Sequence, residues 1–154
     1  MTEKEEIREV ATRWWRAVDA CRWDEVRSLL CEDFVYSYTD AEHEEFPWFT
    51  GADEAVRRLQ GIAGTVEGVQ HYLANSTVTL DGDQAMDAVY NLALIAPKGI
   101  KPGDSLMSYG AENTFHLRRE SESWRIHTLV SETVLPDPWQ DDKSAFPPRG
   151  TKSA

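Results

Sequence analysis

The stretch Gly68 to Gly82, GVQHYLANSTVTLDG, constrains the fold more than any other part of the chain. It reads as one long strand that carries a histidine and ends in a hairpin, because Asp81-Gly82 tolerates the positive φ angles that tight hairpin turns require. Side chains alternate along a strand, so Val69, His71, Leu73, Thr77 and Thr79 share one face, and Gln70, Tyr72, Ala74, Ser76 and Val78 the other. A turn centred on Asp81-Gly82 sets Leu80 opposite Asp83, Leu73 opposite Tyr90 and His71 opposite Leu92. His71 and Tyr90 then become diagonal neighbours on one face. A bulge within the hairpin would exchange the two faces.

Before this hairpin the pattern is helical. Ile7, Val10, Ala11, Trp14, Ala17 and Val18 recur at the spacing of a single buried stripe. Asp19 closes that helix, where the negative end of the helix dipole makes a carboxylate unfavourable by roughly 0.3–1 kcal/mol. It reads either as a solvated turn residue or as a group held there for its chemistry. A second short helix spans Trp23 to Leu30, with Asp24 and Glu25 in its first turn. Phe34 to Tyr38 follows as a strand on which Tyr36 and Tyr38 point the same way. Thr39 to Phe49, with His43, Phe46, Pro47 and Trp48, lacks a period and reads as a loop, either solvated or acting as a lid. Thr50 and Asp53 form a capping-box pattern for a third helix that buries Ala55, Val56, Leu59 and Ile62.

After the hairpin, a Pro- and Gly-containing loop at Ala96 to Asp104 leads to strands Ser105 to Arg119 and Trp124 to Leu135. A turn at Glu120 to Ser123 pairs Leu117 with Ile126, Phe115 with Thr128, Asn113 with Val130 and Ala111 with Glu132. Asn113 and Glu132 therefore share the apolar face with Phe115. The same register pairs His116 with His127 on the polar face. That pair lacks a third ligand, so no metal site is expected. Residues 1–135 form one expected α+β domain. Residues 136–154, Pro-rich and polar, form an irregular tail in which Trp139 and Phe146 are anchors for packing.

Charge and composition narrow the partners. A net charge of −11 over 154 residues disfavours nucleic acid and anionic membrane, both polyanions. No apolar run is long enough for a membrane span and nothing resembles a signal peptide, so a cytoplasmic location is expected. Cys21 and Cys31 read as buried, reduced thiols rather than a disulfide framework or a zinc site.

Three motifs carry a family resemblance: Asp19-Ala20-Cys21-Arg22-Trp23-Asp24, the pair Gln70-His71, and Asn113 eleven residues before Trp124. With them the chain resembles the SnoaL-like, scytalone dehydratase-like group of the nuclear transport factor 2-like superfamily. The resemblance implies a cone-shaped, curved antiparallel sheet, a half-barrel, with three N-terminal helices enclosing an apolar pocket. It also implies a catalytic Asp19–His71 pair, a Tyr38 that activates a carbonyl through water, and an Asn113 that binds substrate. The group's second pocket histidine has no equivalent here, and Tyr90 is the polar residue that the fourth strand offers in its place. Tyr36, Glu132, Trp48 and Phe115 complete the expected substrate contacts.

The expected activity is that of a cofactor-independent acid-base enzyme on a small neutral cyclic or aromatic metabolite. Dehydration is the leading reaction, with epoxide opening, ring closure or isomerisation as alternatives and a non-catalytic ligand-binding subunit as a third. The resemblance also implies a homodimer.

Overall fold

The computed structural model describes residues 1–39 and 46–134, the side chains of Thr39 and of residues 46–48 excepted. The expected lid residue His43 and the tail 136–154 with Trp139 and Phe146 lie outside the described residues. Helix α1 (Glu3–Asp19) starts at a capping box between Thr2 and Glu5 and buries Ile7, Val10, Ala11, Trp14, Ala17 and Val18, the stripe read from the sequence, together with Trp15. Helix α2 (Trp23–Ser28) stops two residues short of Leu30, because Leu30 already begins strand β1 (Leu30–Thr39). Strand β2 (Phe46–Thr50) occupies the end of the expected loop. Its Pro47 is tolerated because β2 is an edge strand, where one side of the backbone needs no ladder partner.

Thr50 does not cap helix α3 (Ala52–Ala63). It pairs with Val35 in the sheet, and Gly51 takes the N-cap position at φ 87°, with its N–H donated to the Phe34 carbonyl at 2.7 Å. A side chain at that φ would be strained, so the strand-to-helix corner selects glycine over a capping hydroxyl.

Strands β3 (Val66–Asp81), β4 (Gln84–Pro97), β5 (Met107–Glu120) and β6 (Ser123–Thr133) form three successive antiparallel hairpins. The sheet order is β2-β1-β6-β5-β4-β3, and β1 lies parallel to β6. That parallel pair is the one departure from the antiparallel sheet expected. The chain leaves β2 through α3 and re-enters at the far edge, so the last hairpin returns β6 alongside β1 in the same direction. The architecture is α+β, a curved, unclosed six-stranded sheet with the helices on its concave side.

Two bulges set which side chains reach that concave side. In β3 the register shifts between Ala74 and Thr77, where Asn75 adopts φ 57°. The turn itself lies at Gly82-Asp83, with Asp81 opposite Gln84, so His71 faces Ala93 rather than Leu92. In β6 the register shifts at His127: Leu117 still faces Ile126, but Phe115 faces Leu129 and Asn113 faces Ser131. His116 consequently pairs with Thr128, and His127 stands within 3.5 Å of Asp33 and hydrogen-bonds with Thr128.

The concave face divides into two halves. Trp14, Phe34, Phe115, Ile126 and Leu129, with Val89 and Leu117 around them, fill one half as a close-packed core. The other half, nearer the open ends of β3 and β5, holds a cavity. Among the described residues no helix is long and apolar enough to cross a membrane.

Among the described residues, the core half contains one buried acid. Asp87 on β4 is 1% exposed and accepts a hydrogen bond from Ser76 Oγ at 2.5 Å, and Ser76 in turn accepts one from Arg8 Nε at 3.1 Å. Burial pushes the Asp87 carboxyl above its ordinary range, opposed by the Ser76 bond and the Arg8 charge. The folded chain thus holds this proton more tightly than the unfolded chain does. Its contribution to stability is complete below the ordinary carboxylate pKa and is lost as pH rises through the raised folded value. Asp87→Asn keeps the acceptor and removes the titration. The variant is expected to gain on the wild type as the buffer moves from mildly acid to neutral, read as the difference in urea midpoints. A variant that loses stability on that passage contradicts this account.

Candidate active site

The last two turns of α1 build one wall of the cavity. Arg8, Thr12, Trp15 and Asp19 follow one another at intervals of four, three and four, so they form a second stripe at the edge of the buried one. This stripe runs along β3. Arg8 reaches Ser76 and Trp15 reaches His71, with the indole and imidazole rings stacked at 3.9 Å between centroids and 22° between planes.

Asp19 then closes on His71 with both carboxylate oxygens. Oδ1 lies 2.5 Å from His71 Nδ1, and Oδ2 accepts the His71 backbone N–H at 2.8 Å. β3 is an edge strand, so that N–H would otherwise have no ladder partner. The carboxylate at the helix end therefore does two things at once: it satisfies an edge donor and fixes the imidazole. The two side chains are 17% and 11% exposed, which strengthens the bond relative to one in water. The helix terminates just beyond, with Cys21 at φ 54° and the Arg22 N–H donated to the Ala17 carbonyl at 2.8 Å; this turn leaves Cys21 exposed, not buried as expected, while Cys31 on β1 is buried. This sharp exit lets Asp19 sit at the rim instead of being covered by a further turn.

The opposite wall is a set of hydroxyls. Tyr36 hydrogen-bonds with Ser131 at 3.0 Å, and Asn113 Nδ2 donates to the same Ser131 Oγ at 2.6 Å. Tyr38 hydrogen-bonds with Thr133, which also meets the Tyr109 hydroxyl at 3.2 Å. Burial pushes the Tyr36 phenol up to about 12 and the Tyr109 phenol further still, so both keep their protons at neutral pH. Asn91, 4% exposed, lines the floor, and its Oδ1 has no hydrogen-bond partner among the described residues. Leu59, Ile62, Val69 and Ile95 supply apolar lining from α3, β3 and β4. The cavity has a volume of about 220 Å³, and no Lys or Arg lines it among the described residues.

His71, Asp19, Tyr36 and Tyr38 meet in this cavity as the sequence indicated. Four other residues do not. Tyr90 stands on the convex face, 49% exposed, because the bulge at Asn75 moves Asn91 and Ala93 inward in its place. Glu132 is exposed and faces Glu112, because the bulge at His127 turns Ser131 inward instead. Phe115 is fully buried in the core half, away from the cavity. Asn113 is also fully buried and acts from behind Ser131, without lining the cavity itself. The side chain of Trp48 lies outside the described residues. Trp15, Asn91, Ala93, Tyr109 and Ser131 were not singled out by the sequence. Trp15 carried a legible signal, one helical turn before Asp19 on the same side of α1, and so did Tyr109, which alternates with Ala111 and Asn113 along β5.

A curved sheet closed on one side by helices thus sets a carboxylate–imidazole pair opposite phenols across one cavity. The model of the SnoaL-like domain matches residues 1–130, and the chain belongs to that family. Solved structures share the fold at low identity. One provisionally named a scytalone dehydratase, from Novosphingobium aromaticivorans, has a TM-score of 0.72 at 17% identity, covering 86% of this chain and 85% of that one. A provisionally named dehydratase of the nuclear transport factor 2-like family from Streptomyces avermitilis gives 0.71 at 18%, covering 87% and 98%. A type 2 hexachlorocyclohexane dehydrochlorinase gives 0.70 at 15%, covering 86% and 85%. No curated protein matches the chain.

Proposed function

We propose that the chain is a cofactor-independent acid-base enzyme that removes water from a small, neutral, cyclic or aromatic metabolite, acting in the cytoplasm as part of secondary metabolism. The observation that carries this reading is the Asp19–His71 pair at 2.5 Å, seated in an apolar cavity opposite a wall of phenols. With Nδ1–H donated to Asp19, Nε2 is the basic nitrogen of the ring and is free to take a proton from carbon beside a carbonyl. Asp19 stabilises the imidazolium that forms. A phenol of the facing wall, from the Tyr38–Thr133–Tyr109 group, donates a hydrogen bond to the enolate oxygen as its charge develops. The imidazolium returns its proton to the departing hydroxyl, the C–O bond breaks, a C=C bond forms, and water leaves.

A cyclase would use Tyr90 and Tyr38 as acids and His71 or Glu132 as base; Tyr90 and Glu132 stand outside the cavity while Tyr38 and His71 line it, which supports dehydration through the Asp19–His71 pair over the fuller acid set of a cyclase. That no Lys or Arg among the described residues lines the cavity supports a neutral substrate over a phosphate or carboxylate. A panel of cyclic β-hydroxyketones incubated with the enzyme tests the reaction by mass: a product lighter by one water is expected. Turnover with unchanged mass would contradict dehydration.

The same reading includes a homodimer through the convex face, where Tyr72, Tyr90 and Leu92 are 48%, 49% and 39% exposed. Leu92→Glu is expected to shift a sedimenting dimer to monomer. A wild-type chain that sediments as a monomer at micromolar concentration would overturn it.

A further inference from the structure

The register across β3, β4 and β5 places three residues in one row. His71 faces Ala93, and Ala93 faces Tyr109 on its other side. All three line the cavity. Adjacent strands lie about 4.8 Å apart, so the His71 and Tyr109 backbones are separated by roughly 10 Å, with a methyl group as the only side chain between them. Every other inward position of β4 bordering this row is larger: Asn91 on one side and Ile95 on the other. Ala93 therefore leaves a slot with the imidazole on one bank and a phenol on the other.

The hydrogen-bonded trio fixes how that phenol is presented. Thr133 Oγ1 joins Tyr38 and Tyr109, and the two phenols also lie within hydrogen-bonding reach of each other. When Tyr38 donates to Thr133 and Thr133 to Tyr109, the Tyr109 proton turns either to the Tyr38 oxygen or to an acceptor lodged in the cavity. Burial holds that proton firmly on the phenol, which makes Tyr109 a donor and not a proton source.

From this juxtaposition we infer that Tyr109 is a substrate-contacting residue, donating a hydrogen bond to the oxygen of a ring lodged over Ala93 between it and His71, with Thr133 as its positioning residue. The inference rests on the proposed function for the role of His71 and extends it to a residue that no motif marked. It also assigns specificity. Ala93 sets the thickness of the slot, which admits a planar ring bearing a carbonyl or phenolic oxygen and rejects a bulky saturated one.

The test uses para-nitrophenol, a planar ring whose phenolate resembles an enolate and whose absorbance reports both binding and ionisation. Wild-type protein is expected to bind it, with Tyr109→Phe weakening affinity about tenfold or more through loss of one hydrogen bond to a charged oxygen. The ionisation of the bound probe should move to higher pH in Tyr109→Phe than in the wild type. Thr133→Val, which retains the phenol but removes its anchor, is expected to give a smaller loss in the same direction, and Ala93→Leu to remove binding while the chain still unfolds cooperatively. Unchanged affinity in Tyr109→Phe overturns the inference, as does failure of the wild type to bind. Neither result bears on proton abstraction by His71, which the His71 variants test separately by turnover.

Discussion

Asp19→Asn is expected to lower turnover by about 10²–10⁴-fold while leaving the urea midpoint nearly unchanged. The side chain keeps its shape, and its carbonyl oxygen can still accept the His71 backbone N–H now held at 2.8 Å. What is lost is the charge beside Nδ1 and the certainty of tautomer, because an amide can turn its NH₂ toward the ring and leave the proton on Nε2. A ring in that state presents an N–H to the substrate where a base is needed. His71→Asn should be at least as damaging. The effect should fall on kcat more than on KM, since the pair acts on the transferred proton and the apolar walls hold the ring. Equal activity in Asp19→Asn and the wild type would mean that the short contact serves the sheet edge alone.

Trp14→Ala is expected to produce the largest change in stability, about 3–5 kcal/mol. Trp14 is fully buried, packs edge-on against Trp15 at 6.1 Å between centroids and leans on Phe34 at 5.8 Å. Its removal opens a hole between α1 and the sheet that neighbouring side chains, themselves fixed, cannot fill. Domains of this size hold roughly 5–15 kcal/mol in total, so the variant sits near the edge of folding. The two predictions separate the roles of adjacent residues on one helix. Trp14 anchors the core half, whereas Trp15 backs the imidazole and Asp19 orients it. Thermal unfolding of Trp14→Ala at wild-type temperature would contradict the division of the concave face into a packed half and an open one.

The helices were legible because a 3.6-residue period over α1 leaves one reading of which residues face inward, and the structure buries all of them. His71 was placed inward for a similar reason: alternation along the start of β3 is local and needs no partner strand. Tyr90 and Glu132 fail for one shared cause. Each was assigned by counting across a hairpin, and each count passed over a bulge that exchanges the faces of everything beyond it. Asn75 at φ 57° is an amino acid that tolerates the left-handed region, but Asn within a strand is too common to mark a bulge alone. The bulge at His127 carries no such residue. Asn91 and Ser131 stayed hidden because their inward direction depends on those same shifts, whereas Tyr109 shares the face of Ala111 and Asn113 by plain alternation along β5 and was passed over. The misplacement of the first turn, one residue late at Gly82-Asp83, changed partners without changing faces.

The same bulges explain why the pocket exists. They turn Ser76 toward Asp87 and bring Ser131 beneath Tyr36, and they bend a sheet that would otherwise lie flat against α1. The position of Asp19 at the C-terminal end of α1, unfavourable for the isolated helix, is offset by the edge N–H and the ring that it binds.

The most direct test of the central claim is the tautomer of His71, read from nitrogen NMR of its imidazole in the ligand-free protein near neutral pH. The account predicts a proton on Nδ1, shifted far downfield by its short bond to Asp19 and absent from Asp19→Asn, with Nε2 bare. A proton on Nε2, or a ring that exchanges freely between tautomers in the wild type, would contradict it.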